Sequence, residues 1–310
     1  MDKLDSIFGK NEEVVVGMLH IYPSKEQIEN ILGREITDDE LMSVSEYGTL
    51  SLPDQDLDKV RSELMGRVVG DAEILDSVGF DGMLIENYDF GYVALTDEEV
   101  GSGLRIPYNS HLSVNRLVED SVRAVKSVTN KPIGINLLTN DPLSTFDLAQ
   151  RTNCQFVQID SITGKYEGRM DYPVNFIKGL RRDYPGLFVL GGLHPKYYER
   201  EGTPDSELER EQWLEKDLLE LIDITTINDL LDAIVLTGDR TGGNPPKNLK
   251  FAREMRPHLQ YFAGSGVKKE NVAEQLEYAN GLIVGSALKE GGVERDTGVS
   301  YGLAKDFMDF

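Results

Sequence analysis

The sequence predicts an α/β fold, a (β/α)8 or TIM barrel, on three observations. Short apolar runs alternate eight times with stretches of helical spacing along 310 residues. Several of the runs are apolar almost throughout, as parallel strands buried on both faces must be. No Gly-x-Gly-x-x-Gly turn follows the first run, which sets aside an open doubly wound sheet. One domain over 1–310 accommodates all eight units.

Taken in order, Val14 to Leu19 is the first strand, ending at His20. Residues 21–58 lack a clear period and are acidic; a long loop with a short helix is expected there. An insertion of that length in a compact domain is usually functional, often a lid. Leu57 to Val78 has helical spacing, and Phe80 to Ile85 is the second strand, ending in Glu86-Asn87. An irregular stretch covers 88–109, and Leu112 to Val128 is amphipathic. Lys131 to Ile135 starts the third strand, which ends near Asn136; Asn140-Asp141-Pro142 caps the helix that follows. Cys154 to Ile159 is the fourth strand, ending at Asp160, and Val174 to Arg182 a short helix. Leu187 to Leu193 is the fifth strand, ending at His194 and Lys196, before a helix over 211–224. Asp232 to Leu236 is the sixth, ending in Thr237-Gly238-Asp239-Arg240, before a helix over 249–255. Gln260 to Ala263 and Leu282 to Val284 supply the last two strands, with a helical run between them and a final helix over 300–310.

Composition narrows the function. Acidic residues number 54 against 32 basic, a net charge of -22, so nucleic acid and anionic lipid surfaces are excluded as general partners. Such an excess also keeps proteins soluble in concentrated salt. No signal-type segment and no membrane-length apolar run is present, so a soluble, cytoplasmic protein is expected. The single cysteine, Cys154, rules out an intrachain disulfide and reads as a small buried hydrophobe.

The stretch Gly264 to Lys289 holds two Gly-Ser turns, Gly264-Ser265-Gly266 and Gly285-Ser286, each at the end of an apolar run. Glycine lets backbone N–H groups approach an anion, and barrels of this kind bind phosphate at the loops after the last two strands. Gly264, Ser265, Gly266, Gly285 and Ser286 are therefore the expected phosphate grip, with Arg240 as a side-chain contact. Lys268 and Lys269 stand where a helix begins and oppose its dipole, a conflict that a bound anion would relieve; in so acidic a chain they also read as offsetting neighbouring carboxylates. Tight turns alone also account for the glycines.

These residues, with Val16-Gly17-Met18-Leu19-His20, Ile85-Glu86-Asn87, Gly134-Ile135-Asn136-Leu137-Leu138 and Val235-Leu236-Thr237-Gly238, resemble the BtpA family. The resemblance runs through Thr241-Gly242 and Gly264 to Val267, and on to Gly281 to Gly292. It implies a barrel of the ribulose-phosphate-binding type and a link to photosystem I biogenesis. The sequence departs from the family pattern in its long acidic first loop and in Asn87-Tyr88-Asp89-Phe90-Gly91, where Asn-Phe-Gly-Asp is usual. A different substrate from other members is the consequence.

Polar residues at strand C-termini are the ones a barrel places to act. Here they include His20, Glu86, Asp160, His194 and Lys196. The histidines suit acid and base roles near neutral pH, the carboxylates proton holding or histidine orientation, and Lys196 a Schiff base or anion contact. Each also has a structural reading, as an anchor for loop backbone. Three functions follow. One is an acid–base enzyme of isomerase or lyase type on a small phosphorylated ligand, without a cofactor. Another is a hydrolase with a divalent metal on His20, Glu86, Asp160, His194 and Asp239. The third is a non-catalytic assembly factor. Pairing into a homo-oligomer is a mild expectation for such barrels.

Overall fold

The computed structural model describes residues 3–21, 25–37, 54–87, 114–138, 140–162, 173–193, 203–204, 206–238, 247–291 and 297–310. Its eight strands are β1 Val14–Ile21, β2 Gly82–Asn87, β3 Ile133–Leu137, β4 Phe156–Ile159, β5 Phe188–Leu193, β6 Ala233–Thr237, β7 Tyr261–Gly264 and β8 Gly281–Val284. They close in sequence order into a parallel barrel. The helices between them are α2 Lys25–Leu32 and α3 Asp54–Val78, then α4 Val114–Lys126, α5 Pro142–Thr152, α6 Val174–Asp183, α7 Glu207–Ile227, α8 Leu249–Met255 and α9 Val272–Leu276. A 3-10 turn, Ser286–Leu288, and α10 Tyr301–Met308 complete the ring, and α1 Lys3–Phe8 precedes it.

The strands run one or two residues later than hydropathy indicates. His20 pairs with Glu86, and Glu86 with Asn136, so these polar residues belong to the ladder and not to the loops after it. Parallel pairing continues for as long as both backbones remain extended, whatever the side chain. The expected loop over 21–58 is likewise shorter: Ile21 ends β1, α2 fills 25–32 and α3 begins at Asp54. Residues 38–53 of that insertion, and the irregular stretch 88–109, lie outside the described residues.

Followed from strand to strand, the pairing returns to β1 eight residues nearer its start. That stagger sorts the inward side chains into layers contributed by alternate strands. Above Val14 and Phe188 at the floor, the lower layers hold Gly82, Phe156, Ala233 and Gly281, then Val16, Gly134, Leu190 and Phe262. Large and small residues interlock there. A Cβ on Gly134 would stand 2.1 Å from the Phe156 ring, and one on Gly281 2.4 Å from Phe262. Above them lie Leu84, Gln158, Val235 and Ile283, then Met18, Asn136, Gly192 and Gly264. Glu86, Asp160, Thr237 and Gly285 form the next layer, with His20 above. The barrel is thus apolar below and polar at its C-terminal mouth.

Helix α1 plugs the floor. Leu4 is fully buried, and the Phe8 ring lies 5.4 Å from Phe156 and 6.4 Å from Phe188. Apolar residues at Leu4, Ile7 and Phe8 have helical spacing, a signal present in the sequence but too short to stand out. Asp232 fixes the plug. It takes 2.7 Å and 2.9 Å bonds from Lys3 and Arg181, and 2.8 Å from the Val189 N–H. Burial works against its charge, but Arg181 and Lys3 prevail and hold the carboxyl below the usual range. Cys154 is buried beside Thr152, and burial pushes its thiol up to about 11.

Two outcomes are expected. Gly134→Ala forces a methyl into the Phe156 ring and costs about 1–3 kcal/mol in urea denaturation, with no change in the mouth. Asp232→Asn leaves Arg181 buried without its charge partner and costs about 3 kcal/mol at neutral pH. Because the Asp232 carboxyl is depressed, its stabilisation is present above the unfolded value of about 4 and is lost as pH falls through the folded one. The gap between wild type and Asp232→Asn therefore closes in denaturation curves taken below about pH 4.

Candidate functional site

One amide organises the mouth. Asn136 is 1% exposed, and its Nδ2 donates to Glu86 Oε2 at 2.7 Å and to Asp160 Oδ1 at 3.1 Å. The three residues come from β2, β3 and the end of β4, and the layering explains why they meet. Asn136 sits one layer below the two carboxylates, on the strand between theirs. Each amide hydrogen serves one carboxylate, which fixes both in orientation. His20 Nε2 lies 3.7 Å from Glu86 Oε1, so the other oxygen of the same carboxylate faces the imidazole. The predicted residues His20, Glu86 and Asp160 thus form one connected group with Asn136 at its centre.

Neighbouring contacts lock the loops. Asn87 exchanges two bonds with the Leu138 backbone, at 2.8 and 2.7 Å. Asn140 does the same for Ser161, at 2.9 and 3.0 Å, with its own φ at +69°. Gly192 permits the closest approach: a Cβ there would stand 1.9 Å from the Asp160 carbonyl oxygen. No other residue leaves Asp160 where it is.

The predicted phosphate turns flank this group. Gly285 lies against β1, and a Cβ on it would be 2.9 Å from His20 Cε1. Just after β7, Ser265 and Gly266 both have left-handed backbone, with φ of +59° and +72°. For serine that conformation is strained, and such strain concentrates at functional turns. Asn271 holds the turn closed, donating to the Gly266 carbonyl at 2.9 Å and accepting from the Lys268 N–H at 3.0 Å.

Lys269 is ion-paired with Asp306 of α10, so it faces the protein's own carboxylate and not an anion in the turn. The helix that follows, α9, has five residues, too few to carry a substantial dipole. At the other turn, Lys289 is buried close to Asp71 of α3. Burial raises the Asp71 carboxyl, while the Val299 N–H, Lys289 and Arg67 act against that rise. Asp71 Oδ1 accepts from Val299 at 2.8 Å, which ties the chain after β8 to α3.

His194, Lys196, Asp239 and Arg240 lie outside the described residues. Strands β1 and β5, which lead to His20 and His194, are opposed in the closed order. Among the described residues no group of three or more His, Cys, Asp or Glu is arranged to hold a metal ion. No described helix is long and apolar enough to cross a membrane.

Gln158 was not among the expected site residues. It lies two residues before Asp160 and two after Phe156, so the alternation of β4 turns it into the barrel. That alternation was the available signal. Its Oε1, with Asn136 Oδ1 and Thr237 Oγ1, is buried without a hydrogen-bond partner among the described residues. Each such atom costs about 1–3 kcal/mol.

A model of the BtpA family matches residues 48–170 and 207–308. An uncharacterised protein of Pyrococcus abyssi is 29% identical over 238 residues, covering 74% of this chain and 80% of that protein. The photosystem I biogenesis protein BtpA of Synechocystis is 26% identical over 231 residues, covering 73% and 72%. Among solved structures, wild-type GGGPS from Thermoplasma volcanium superposes with a TM-score of 0.50 at 11% identity, covering 97% of this chain and 92% of that one. That likeness is one of fold.

The bridging amide yields a prediction. Asn136→Asp replaces the shared donor with a third carboxylate. A loss of about 2–4 kcal/mol is expected in denaturation at pH 7, shrinking as acid restores a proton to the cluster.

Proposed function

The chain belongs to the BtpA family, and we propose that it is an acid–base enzyme acting on a small phosphorylated ligand at the C-terminal mouth of the barrel. The observation that carries this reading is the contact between Gly285 and His20, 2.9 Å for a Cβ on the glycine. It brings the predicted phosphate turn beside the predicted proton carrier. A phosphate on Gly264-Ser265-Gly266 and Gly285-Ser286 leaves the adjoining carbons of the ligand over His20, Glu86 and Asp160. Barrels of this fold commonly hold phosphate at the loops after strands seven and eight.

The chemistry follows from the connections. Glu86, gripped by Asn136 on one oxygen, presents the other to His20 Nε2 and stabilises the imidazolium that forms when His20 takes a proton. Asp160 is held by the same amide on the neighbouring strand and is part-exposed. It serves as the second proton site, on the far side of the ligand. Two proton carriers tied to one donor, Asp160 directly and His20 through Glu86, suit isomerisation or lyase-type carbon–hydrogen cleavage, in which a proton leaves one carbon and returns at another atom. In this reading His194, opposite His20 in strand order, and Lys196 complete the rim, and Arg240 contacts the phosphate.

Calorimetry with phosphate esters tests the grip. Ser265→Asp together with Ser286→Asp is expected to weaken binding at least about tenfold by like-charge repulsion; unchanged affinity overturns the phosphate half. Solvent deuterium exchange into a panel of hydroxycarbonyl phosphates tests the chemistry. Incorporation that His20→Gln reduces about 100-fold or more is expected, and incorporation indifferent to His20 and Asp160 overturns it. The name of the Synechocystis relative supports a second reading, a non-catalytic assembly factor. Cellular function that survives replacement of both His20 and Asp160 selects that one.

A further inference from the structure

Two oppositely charged residues are buried behind the turn that follows β8. Asp71 of α3 is 6% exposed and Lys289 is 4%. Lys289, and Arg67 one helical turn before Asp71, both act on the Asp71 carboxyl. Neither Asp71 nor Lys289 takes part in the proton chemistry at the mouth. Burying two charges costs desolvation that apolar residues of the same volume avoid, so what the pair supplies is geometry.

A continuous run of contacts leads from Asp71 to the turn. Asp71 Oδ1 accepts from the Val299 N–H at 2.8 Å. Gly298 permits that approach, since a Cβ there would stand 2.7 Å from the same oxygen. Val299 pairs with Lys289 in an antiparallel bridge, and the Ser300 N–H donates to the Leu288 carbonyl at 2.8 Å. The Leu288 and Lys289 N–H groups donate to the carbonyls of Gly285 and Ser286, at 3.0 and 3.3 Å, which closes the 3-10 turn over Ser286–Leu288. Ser300 Oγ adds a 2.6 Å bond to Glu290 Oε1. Asp71 itself has a firm base. One helical turn further along α3, Leu75 packs on Gly17 of β1, where a Cβ would meet it at 2.6 Å.

We propose that Asp71 is a positioning residue for the turn after β8, holding Gly285 and Ser286 in place from behind through Val299 and Lys289. This role rests on the phosphate reading of that turn. A neutral acceptor would serve the Val299 N–H; the charge is needed for Lys289. Without it a buried ammonium is left uncompensated and must reach water. Its departure displaces the backbone that closes the turn, because the Lys289 N–H makes one of the turn's own bonds. Asp71 thus acts on the grip and not on proton transfer.

Hydrogen exchange read at single amides, with calorimetry of inorganic phosphate binding, tests this in Asp71→Asn, Asp71→Asn with Lys289→Met, and Gly298→Ala. In Asp71→Asn the Leu288 and Lys289 amides are expected to exchange at least about tenfold faster, and phosphate to bind at least about tenfold more weakly, while β3 and β4 amides keep their protection. Adding Lys289→Met removes the stranded ammonium and returns both readings to within about threefold of wild type. Gly298→Ala pushes Val299 off the carboxylate without changing any charge, and it is expected to speed the same two amides. Exchange that rises evenly through the barrel, a double variant no better than Asp71→Asn, or a Gly298→Ala protein with both amides unmoved overturns the role. So does wild-type phosphate affinity in Asp71→Asn. Failure of the phosphate reading shows separately: wild-type protein does not bind inorganic phosphate, while the Leu288 and Lys289 amides still respond to Asp71→Asn and the anchoring of the turn stands.

Discussion

The closure of β1 on β8, with Val14 against Gly281 and Val16 against Ile283, is the constraint on which the rest depends. Backbone hydrogen bonds set it, yet its stagger decides which side chains share a level inside the barrel. A slip of one residue would turn every inward side chain outward. A slip of two would keep the faces but part His20 from Gly285. The chemistry at the mouth is therefore a consequence of a backbone register fixed far below it. The interlocking of Phe156 with Gly134, and of Phe262 with Gly281, holds that register at the floor.

The barrel is a gradient along its axis. The lower layers gain stability by close packing of apolar groups, whereas the upper ones accept buried polar atoms without a hydrogen-bond partner among the described residues. Stability is given up where a ligand is expected and recovered where none can reach. Gln158 marks the boundary between the two regimes. Asn136 limits the loss by serving two carboxylates with one amide, where separate donors would require one more buried side chain.

The strands were legible because burial on both faces leaves nearly unbroken apolar runs, and the helices because their apolar residues recur at helical spacing. Strand ends were read short at His20, Glu86 and Asn136, since hydropathy sees the change of side chain and not the continuing ladder. His20, Glu86 and Asp160 were found by position alone, as polar residues closing apolar runs. Their connection through Asn136 was not, because it depends on stagger between strands, which no single run encodes. Gln158 was hidden inside a run that reads as buried, and the carboxylate that Lys269 offsets, Asp306, is distant in sequence.

The floor plug has a consequence for how the chain acquires this structure. Leu4 and Phe8 find their places only against Phe156, Phe188 and neighbours supplied by the middle and end of the chain. Helix α1 has no docking place until β5 has followed it from the ribosome, and β1 has no β8 to pair with until seven further strands have been made. Contacts so distant along the sequence slow folding and prolong the exposure of apolar surface. A high density of negative charge keeps such waiting chains apart. The acidic composition thus protects the nascent chain as well as the finished fold.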